Sequence, residues 1–289
     1  MPVIEPVIRP PSESKSFLLQ ITTGCSSDTC TFCGAYKGKP FAIKERQEIY
    51  SDIERASNAF AYTRRVFLMD GDALVMNNNR LLPILKKLQT SFPRLARISS
   101  YANGYNITKR DHNELCELYN NKLSLIYIGL ESGSQQILDN CKKRTSVKEM
   151  KDAVIKAGCA DIKSSVMVLL GLGGKKNSAE HIEKTIVALN EMQPRYLSFL
   201  SLMLIPKTEL YKTAASGEFK ELNSKELLME TRDIIKGLEL NKTIFRCNHA
   251  SNYFPIEGRF PQDKEKLIKL IEKAVSGNMF LKPDFLRGL

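Results

Sequence analysis

The sequence predicts an α/β fold, a partial (β/α)6 barrel with a C-terminal helical cap, and two observations support this prediction. Between residues 17 and 203, six short apolar runs typical of β-strands alternate with stretches whose apolar residues recur at helical spacing. After Pro206 this alternation stops. Repeated β-then-helix units imply a parallel sheet with right-handed crossovers, and six units are too few to close the usual eight-stranded barrel.

The predicted strands and helices follow in order along the chain. Strands are predicted over residues 17–22, 65–69, 96–101, 123–129, 162–170 and 196–203. The first helix places on one face Ile49, Ile53, Ala56 and Phe60, and the second carries Leu81, Leu82, Leu85 and Leu88. The helix before the fifth strand ends near Gly158. The next helix begins at Asn177 or Ser178, and its inward face carries Ile182, Ile186 and Leu189.

Three segments are predicted. Residues 1–13 are Pro-rich and form an extended arm, residues 14–206 form the barrel, and residues 207–289 form the cap and substrate region. Within the cap, helices are predicted from Lys225 to Leu240 and from Gln262 to about Ser276. In parallel α/β folds the functional site lies at the C-terminal ends of the strands, so we expect functional residues just after each strand.

Composition narrows the class of protein. Of the 289 residues 43% are hydrophobic, enough for a full core, and the 7 cysteines are an odd number with four of them scattered, unlike a secreted disulfide framework. No signal peptide is visible and no apolar run is long enough to span a bilayer, so we expect a cytoplasmic protein without a membrane partner. The net charge of +11 can attract nucleic acid or an anionic small molecule. The basic runs are short and dispersed, which favours a solvated surface.

Three cysteines lie in one loop directly after the first predicted strand. Cys25, Cys30 and Cys33 have the spacing C-x4-C-x2-C. Thiolates at short spacing hold soft metals and Fe–S clusters. A [4Fe–4S] cluster has four irons, so three cysteines would leave one iron open to a substrate or cofactor. A structural zinc ion is the alternative, but it usually takes four ligands from paired C-x2-C motifs, and no second such motif is present.

This loop resembles the signature of the radical S-adenosylmethionine (radical SAM) superfamily, which is usually C-x3-C-x2-C, with one residue inserted. Phe32 stands where the family usually places an aromatic residue, and we assign it to the cofactor site. With the six β/α units, the resemblance covers most of the chain and implies a barrel of the radical SAM type. It implies a [4Fe–4S] cluster whose open iron binds S-adenosylmethionine (SAM). One electron from a reductant such as flavodoxin or ferredoxin would then cleave SAM to methionine and a 5′-deoxyadenosyl radical, which abstracts hydrogen from a substrate.

Two other strand ends resemble cofactor-binding segments of this superfamily. Asp70, Gly71 and Asp72 follow the second strand and resemble the Gly-Gly-Glu element that receives the methionine ammonium. Glu131 lies in a Gly-Leu-Glu-Ser-Gly segment similar to that of the coproporphyrinogen, methylthiotransferase and Elongator-like enzymes, and would accept hydrogen bonds from the ribose. Two other interpretations remain open from the residues alone. Asp70 and Gly71 could form an ordinary Asp-Gly turn, and Glu131 could be an acidic residue that stabilises the start of a helix.

One basic residue matches the family's cofactor-binding pattern, and two other positions differ from it. Lys143 stands where relatives place a basic residue that pairs with the SAM carboxylate, and Arg144 is the near alternative. A solvated helix surface is the other interpretation of both. Tyr101, which we assign to the cofactor site, ends the third strand where relatives often carry an acid, and Met167 replaces an Asp of relatives. Some cofactor contacts are therefore expected to differ from those of the family.

The C-terminal segment from Cys247 to Tyr253 is dense in hydrogen-bonding side chains. It resembles the Asn-His-Ala-Ser-Asn segment of a radical SAM group without a cobalamin domain. We predict that it caps the open barrel and binds substrate through His249, a proton donor, and Asn252; a structural hydrogen-bonded loop is an equal alternative. His181, in a helical stretch, is expected to be solvated.

The sequence therefore predicts a radical SAM enzyme, oxidoreductase-like and without a cobalamin-binding domain. No motif identifies the substrate, although a small molecule is favoured over RNA. The rival hypothesis is a zinc- or cluster-stabilised nucleic-acid-binding protein without catalysis. Such a protein would bind RNA with a steep dependence on salt.

Overall fold

The computed structural model describes residues 3–5 and 7–288. Residues 1, 2 and 6 of the predicted arm, and residue 289, lie outside the described residues. The strands are β1 (Phe17–Gln20), β2 (Thr22–Thr23), β3 (Ala42–Ile43), β4 (Arg65–Met69), β5 (Arg97–Tyr101), β6 (Leu123–Glu131), β7 (Lys163–Leu170), β8 (Tyr196–Ser201), β9 (Ile244–Cys247) and β10 (Ile256–Arg259). The helices are α1 (Arg46–Ala59), α2 (Asn78–Ser91), α3 (Gly104–Thr108), α4 (His112–Asn120), α5 (Gln135–Asn140), α6 (Val147–Cys159), α7 (Gly174–Met192), α8 (Glu209–Ala215), α9 (Ser224–Gly237) and α10 (Lys264–Val275).

The chain divides into two compact units. The first unit contains the residues up to Asp28, Ala35–Ile128 and Asp152–Ser164. The second unit contains Thr29–Gly34, Gly129–Lys151 and the residues from Ser165 onward. The six predicted strands correspond to β1, β4, β5, β6, β7 and β8, so the α/β prediction is confirmed. The segment boundaries at residues 13 and 206 stay predictions. In the described part of the chain, no helix is long and apolar enough to cross a bilayer.

The first unit is built on parallel strands in the order β1-β4-β5-β6. Arg65 pairs with Arg97 across β4 and β5, so the N-terminal ends of neighbouring strands lie along one edge. Helix α1 buries the predicted residues Ile49, Ile53 and Ala56. Phe60, predicted on the same face, is instead 60% exposed, because the helix ends one residue before it.

A buried carboxylate joins the end of the predicted arm to this sheet. Glu13 lies in a short 3-10 helix (Pro11–Glu13) and is fully buried. Its Oε1 accepts hydrogen bonds from Arg97 Nη2 at 2.7 Å and from Tyr127 Oη at 2.6 Å. Burial, and the hydrogen bond to this carboxylate, raise the pKa of Tyr127. The end of the arm is therefore packed against the sheet by a paired buried charge.

The second unit contains parallel strands β7-β8-β9, followed by the antiparallel strand β10. The last two strands come from the segment predicted as a helical cap, which is therefore only partly helical. In β9 the side chains of Phe245 and Cys247 are buried and those of Ile244 and Arg246 are half-buried. This alternation over four residues is too short to stand out in the sequence. Helices α9 and α10 lie where the sequence predicts them.

Helix α7 buries a different face from the predicted one. The buried residues are Gly174, His181, Thr185, Ala188, Leu189 and Met192. Ile182 and Ile186 are only half-buried. The expectation that His181 is solvated is therefore wrong. His181 shares the helical spacing of the buried residues Thr185, Ala188 and Met192, so it lies on the face that packs inward.

Candidate active site

Asp70 connects the end of β4 to the start of the cysteine loop within the first unit. Its backbone is left-handed (φ 70°), which is uncommon for a residue other than Gly and is found at functional sites. Its buried Oδ2 accepts a hydrogen bond from the Gly24 N–H at 2.8 Å and lies 2.8 Å from Lys39 Nζ. The other oxygen, Oδ1, is buried and has no hydrogen-bond partner among the described residues. Asp70 thus anchors the loop and keeps one acceptor open.

Gly71 leaves room for the first cysteine. A Cβ at position 71 would lie 2.7 Å from Cys25 Cβ and 2.8 Å from Cys25 Sγ, closer than real Cβ atoms approach. The Gly71 N–H also donates to the Gly24 carbonyl at 2.9 Å. Because only a bare backbone fits here, glycine is required by a close approach.

Asp72 is fully buried and already hydrogen-bonded within the first unit. Its Oδ2 accepts from Ser26 Oγ at 2.7 Å and from Asn106 Nδ2, and its Oδ1 accepts from the Asn103 N–H at 3.4 Å. Burial raises the pKa of Asp72, and these hydrogen bonds act against that rise. The carboxylate therefore holds the segment after β1 and the segment after β5 to the end of β4.

We expect Asp72→Ala to lower the free energy of unfolding by ~2 kcal/mol or more, because Ser26 and Asn106 lose a buried acceptor. Urea unfolding of the two proteins measures this difference. The matched control is Asp28→Ala, at an exposed aspartate for which no side-chain hydrogen bond is described. Equal stability of Asp72→Ala and Asp28→Ala would contradict the structural role of Asp72.

Tyr101 lies in a group of aromatic rings in the first unit. Its ring centroid is 5.2 Å from that of Phe67 and 6.0 Å from that of Tyr127, and both pairs meet edge to face. Such pairs stabilise a packed core. Tyr101 is half-buried. Its assignment to the cofactor site stays a prediction.

Two of the three loop cysteines belong to the second unit, beside a pair of charged residues. The Cys33 N–H donates to the Cys30 carbonyl at 3.3 Å, so both cysteines lie in one turn. Burial raises the pKa of the Cys30 thiol, the positive charge of Lys143 lowers it, and Glu131 and Cys33 raise it. The second unit therefore brings together four of the predicted site residues.

The aromatic residue of the loop packs in an apolar cluster of the second unit. Phe32 contacts the cluster of Ile137, Cys141, Leu172, Leu202 and Leu210. On the residue before it, the Thr31 N–H donates to the Cys141 carbonyl at 2.9 Å, and the Thr31 carbonyl accepts from the Leu210 N–H at 3.0 Å. These contacts fix the turn that carries Cys30 and Cys33.

Glu131 and Lys143 contact each other. Glu131 Oε1 lies 3.3 Å from Lys143 Nζ, and the side chains are 18% and 16% exposed. Glu131 has a left-handed backbone (φ 61°), and its carboxylate occupies the space where a Cβ at Gly129 would lie. The backbone turn at the end of β6 therefore aims Glu131 at Lys143. The sequence predicts both residues at the site but not their ion pair.

A buried histidine lies directly behind the loop that carries Glu131. His181 Nδ1 is 2.9 Å from Ser132 Oγ, and its Nε2 is 3.7 Å from Glu230 Oε1. Glu230 accepts hydrogen bonds from the Gly171 N–H at 2.6 Å and from Ser178 Oγ. Burial lowers the pKa of His181 to about 4 and raises that of Glu230 to about 7. Sequence reasoning missed this group, whose signal is a histidine at helical spacing from Leu189.

The two shifted pKa values predict opposite effects of pH on stability. Between about pH 4 and 6.5 unfolded His181 is protonated and the folded residue is neutral, so its contribution makes stability rise with pH. Between about pH 4.5 and 7 folded Glu230 keeps a proton that the unfolded residue has lost, so its contribution makes stability fall with pH. In the wild type the two contributions largely cancel.

We expect Glu230→Gln to reveal the contribution of His181 to the pH dependence of stability. The histidine contribution is then no longer offset, so the free energy of unfolding of the variant should rise by roughly 3 kcal/mol from pH 4 to 6.5, because burial lowers the pKa of His181 to about 4. That of the wild type should change much less over the same range. Urea unfolding at several pH values measures this slope. Glu265→Gln, at an exposed glutamate, is the matched control and should follow wild type. A Glu230→Gln protein with the wild-type slope would refute the assignment of the two pKa values.

The C-terminal polar segment is held to the end of β8 by Ser251 and Asn252. Asn252 is buried, its Nδ2 donates to the Phe199 carbonyl at 2.8 Å, and its Oδ1 accepts from Ser201 Oγ at 2.9 Å. His249 is half-buried, and its Nδ1 is 2.9 Å from Ser251 Oγ. Burial, and then the charge of Lys282, lower the pKa of His249. The roles of His249 and Asn252 toward a substrate stay predictions.

Asn252→Ala should lower the free energy of unfolding by ~2–4 kcal/mol, because the Phe199 carbonyl and the Ser201 hydroxyl would stay buried without a partner. His249→Ala should cost less, since its ring is only half-buried. Denaturant unfolding measures both, with Asn278→Ala, at an exposed asparagine, as the control. An Asn252→Ala protein as stable as the control would leave substrate contact as the better account of this residue.

A comparison with protein families identifies the superfamily of this chain. The sequence profile of the Radical SAM superfamily matches residues 19–189, more than half of the chain. The chain belongs to the radical SAM superfamily. The match runs from β1 into α7 and includes the cysteine loop and Glu131. Curated protein sequences give no significant match.

Solved structures of radical SAM enzymes have a similar fold. Coproporphyrinogen III oxidase (HemN) from Escherichia coli is 15% identical over 76% of this chain and 50% of that one, with a TM-score of 0.54. Methylornithine synthase (PylB) is 13% identical over 93% of this chain and 83% of that one (TM-score 0.54). Elp3 from Methanocaldococcus infernus is 14% identical over 91% and 63% (TM-score 0.54). The chain spans 38% of the length of the methyltransferase TsrM and half that of HemN.

Membership of this superfamily identifies the class of reaction and the cofactors. Radical SAM enzymes use a [4Fe–4S] cluster and SAM, and similar structures contain a [4Fe–4S] cluster or bound AdoMet. They generally need an electron donor such as flavodoxin or ferredoxin. The predictions of an enzyme, of these cofactors and of the superfamily are therefore confirmed, while the subgroup suggested by the Glu131 segment stays a prediction.

The residues present fit these cofactors. Thiolates are the usual ligands of Fe–S clusters. The bare backbone of Gly71 against Cys25 and the open acceptor of Asp70 are features that a bound group would use. Among residues 3–5 and 7–288, no three His, Cys, Asp or Glu side chains are grouped as ligands of a metal ion. A cubane cluster distributes three cysteines over three irons, so its ligands need not surround one ion.

Proposed function

We propose that this chain uses a [4Fe–4S] cluster held by Cys25, Cys30 and Cys33 to cleave SAM and abstract hydrogen from a small-molecule substrate. The observation that supports this most is the close approach of Gly71 to the Cys25 sulfur. In this proposal both residues lie at the cofactor, and the contact between the segment after β4 and the segment after β1 supports it. A small molecule is favoured over RNA as substrate because the basic runs of the sequence are short and dispersed.

The thiolates would hold the cluster, and the neighbouring backbone would keep them accessible. When bound, the cluster and SAM supply a 5′-deoxyadenosyl radical, formed with methionine by a one-electron reduction, that takes a hydrogen atom from the substrate. In the second unit, burial raises the pKa of the Cys30 thiol, and the positive charge of Lys143 acts against that rise. In the first unit, the hydrogen bonds of Asp70 and Asp72 keep the segment around Cys25 in place.

The paired residues Glu131 and Lys143 would each take a SAM group. Glu131 would accept hydrogen bonds from the ribose hydroxyls, and Lys143 would pair with the SAM carboxylate. Both side chains are partly exposed and 3.3 Å apart, so binding exchanges one ion pair for two contacts to the cofactor. Asp70 and Asp72 would receive the methionine ammonium, for which the open Oδ1 of Asp70 is suited.

We also propose that the enzyme is cytoplasmic and that it receives its electron from a flavodoxin or ferredoxin. A reducing compartment keeps the loop cysteines as thiols available to iron. His249 and Asn252 would contact the substrate from the C-terminal segment. Asn252 is already used to hold β8, so His249, which is half-buried, is the better candidate for direct contact.

Anaerobic reconstitution with iron and sulfide, followed by dithionite and SAM, tests the proposal. We expect brown protein and slow formation of 5′-deoxyadenosine without substrate. Glu131→Gln should bind SAM more weakly by calorimetry and keep its iron, because the change removes a charge-assisted acceptor worth ~1.5–3 kcal/mol. Protein that carries one zinc ion, binds no SAM and forms no deoxyadenosine would support the rival nucleic-acid-binding hypothesis instead.

A further inference from the structure

A cavity of about 630 Å³ lies at the N-terminal ends of β1, β4 and β5, within the first unit. Lys15 precedes β1, Arg64 and Arg65 are at the start of β4, and Arg97 begins β5. The candidate site residues Asp70 to Asp72 follow the other end of β4. The five residues of β4 separate the two regions by roughly 15 Å at about 3.3 Å per residue. The cavity is therefore at the opposite edge of the sheet from the proposed cofactor residues.

We propose that this cavity binds a nucleotide. Lys15, Arg64 and Arg65 would hold its phosphates, and Tyr62 would stack on its base. The site is independent of the iron–sulfur cluster and of the proposed reaction, since it uses none of their residues.

The positive charges around the cavity are not neutralised. Lys15 and Arg64 are exposed and Arg65 is half-buried. In the part of the chain that the structure describes, none of the three forms an ion pair, whereas the neighbouring Arg97 pairs with Glu13 at 2.7 Å. Three unpaired cations around one concave surface attract an anion with several charges. Arginine binds phosphate and carboxylate groups through paired hydrogen bonds, and of these two a phosphate chain carries several charges.

An exposed aromatic ring lies beside these cations. Tyr62 is 74% exposed, and the Arg94 guanidinium is 4.6 Å from the centre of its ring. Tyr62 precedes Thr63, whose hydroxyl donates to the Phe60 carbonyl at 2.8 Å and fixes the turn before β4. Bases stack on exposed aromatic rings, and arginine adds to such stacking. An aromatic platform next to unpaired cations favours a ligand that has both a ring and phosphates.

The size of the cavity fits the same ligand. Small-molecule sites usually have volumes of about 300–1,000 Å³, and this cavity falls within that range. A protein partner would instead require a contact surface of ~800 Å² on each side. The nucleotide can be free or can be one residue of a single-stranded nucleic acid, because both present the same base and phosphate.

Calorimetric titration of the full chain with ATP, with tripolyphosphate and with a ten-nucleotide oligoadenylate tests the proposal. We expect ATP or the oligonucleotide to bind more tightly than tripolyphosphate. Lys15→Glu with Arg64→Glu should weaken this binding at least ~tenfold, and Tyr62→Ala at least ~fivefold, the lower end of the contribution of an aromatic–base stack. Lys266→Glu with Lys269→Glu, both exposed on α10, changes the net charge equally and is the control.

The outcomes distinguish a free nucleotide from a single-stranded nucleic acid, and they also show whether the proposal is wrong. Tighter binding of ATP than of the oligonucleotide assigns the site to a free nucleotide, and tighter oligonucleotide binding with a steep salt dependence assigns it to a single strand. Absence of binding, equal binding of tripolyphosphate and ATP, or equal losses in the cavity and control variants would overturn the proposal. Loss of ferredoxin binding in the Lys15 and Arg64 variant, without nucleotide binding, would overturn it in favour of an acidic protein partner.

Discussion

Replacing Cys25, Cys30 and Cys33 together by alanine is expected to leave the protein without iron. The three thiolates are the proposed cluster ligands, and a cluster has no comparable donors without them. Iron and sulfide analysis after anaerobic reconstitution measures the loss. Formation of 5′-deoxyadenosine from SAM and dithionite should fall to background in the same protein.

The matched control replaces two cysteines outside the loop. Cys116 is half-buried and Cys159 is exposed, so Cys116→Ala with Cys159→Ala should fold and keep its iron. Zinc is measured in every sample, because a structural zinc site would also depend on the loop. A triple variant that retains the full iron content would show that these cysteines do not hold the cluster.

Gly71→Ala should reduce SAM cleavage at least ~tenfold, since a misplacement of about 1 Å at a reacting group can cost ~10²-fold. The added methyl group would lie 2.7 Å from Cys25 Cβ and 2.8 Å from its sulfur. One of the two segments must move, and with it the first proposed ligand. We expect the iron content to fall as well. The rate of 5′-deoxyadenosine formation per iron therefore measures the SAM-cleaving activity that remains.

Gly158→Ala is the control for this change. Position 158 lies within α6, and a Cβ there meets no atom within 4 Å. The substitution should keep activity and slightly stabilise the helix, because alanine has the higher helix propensity. Equal activity of Gly71→Ala and the wild type would mean that the contact with Cys25 is not needed for the cofactor.

The sequence by itself determined the α/β class, the succession of the six strands along the chain and the loop that carries the cysteines. Each of these depends on neighbours along the chain: apolar runs, helical spacing and the short spacing from Cys25 to Cys33. The positions of Asp72 just after β4 and of Glu131 at the end of β6 also follow from local pattern, because the chain must leave each parallel strand at its C-terminal end.

The tertiary structure alone decided how these side chains are used. Asp72 bonds to Ser26 and Asn106, which lie 46 and 34 residues away in the chain. Asn252 bonds to β8, more than 50 residues away, and His181 is buried because its face of α7 packs inward. No local pattern contains such partners, since folding brings them together only when distant segments pack. For the same reason, the cations and the tyrosine of the cavity form one site only where the N-terminal ends of three strands meet.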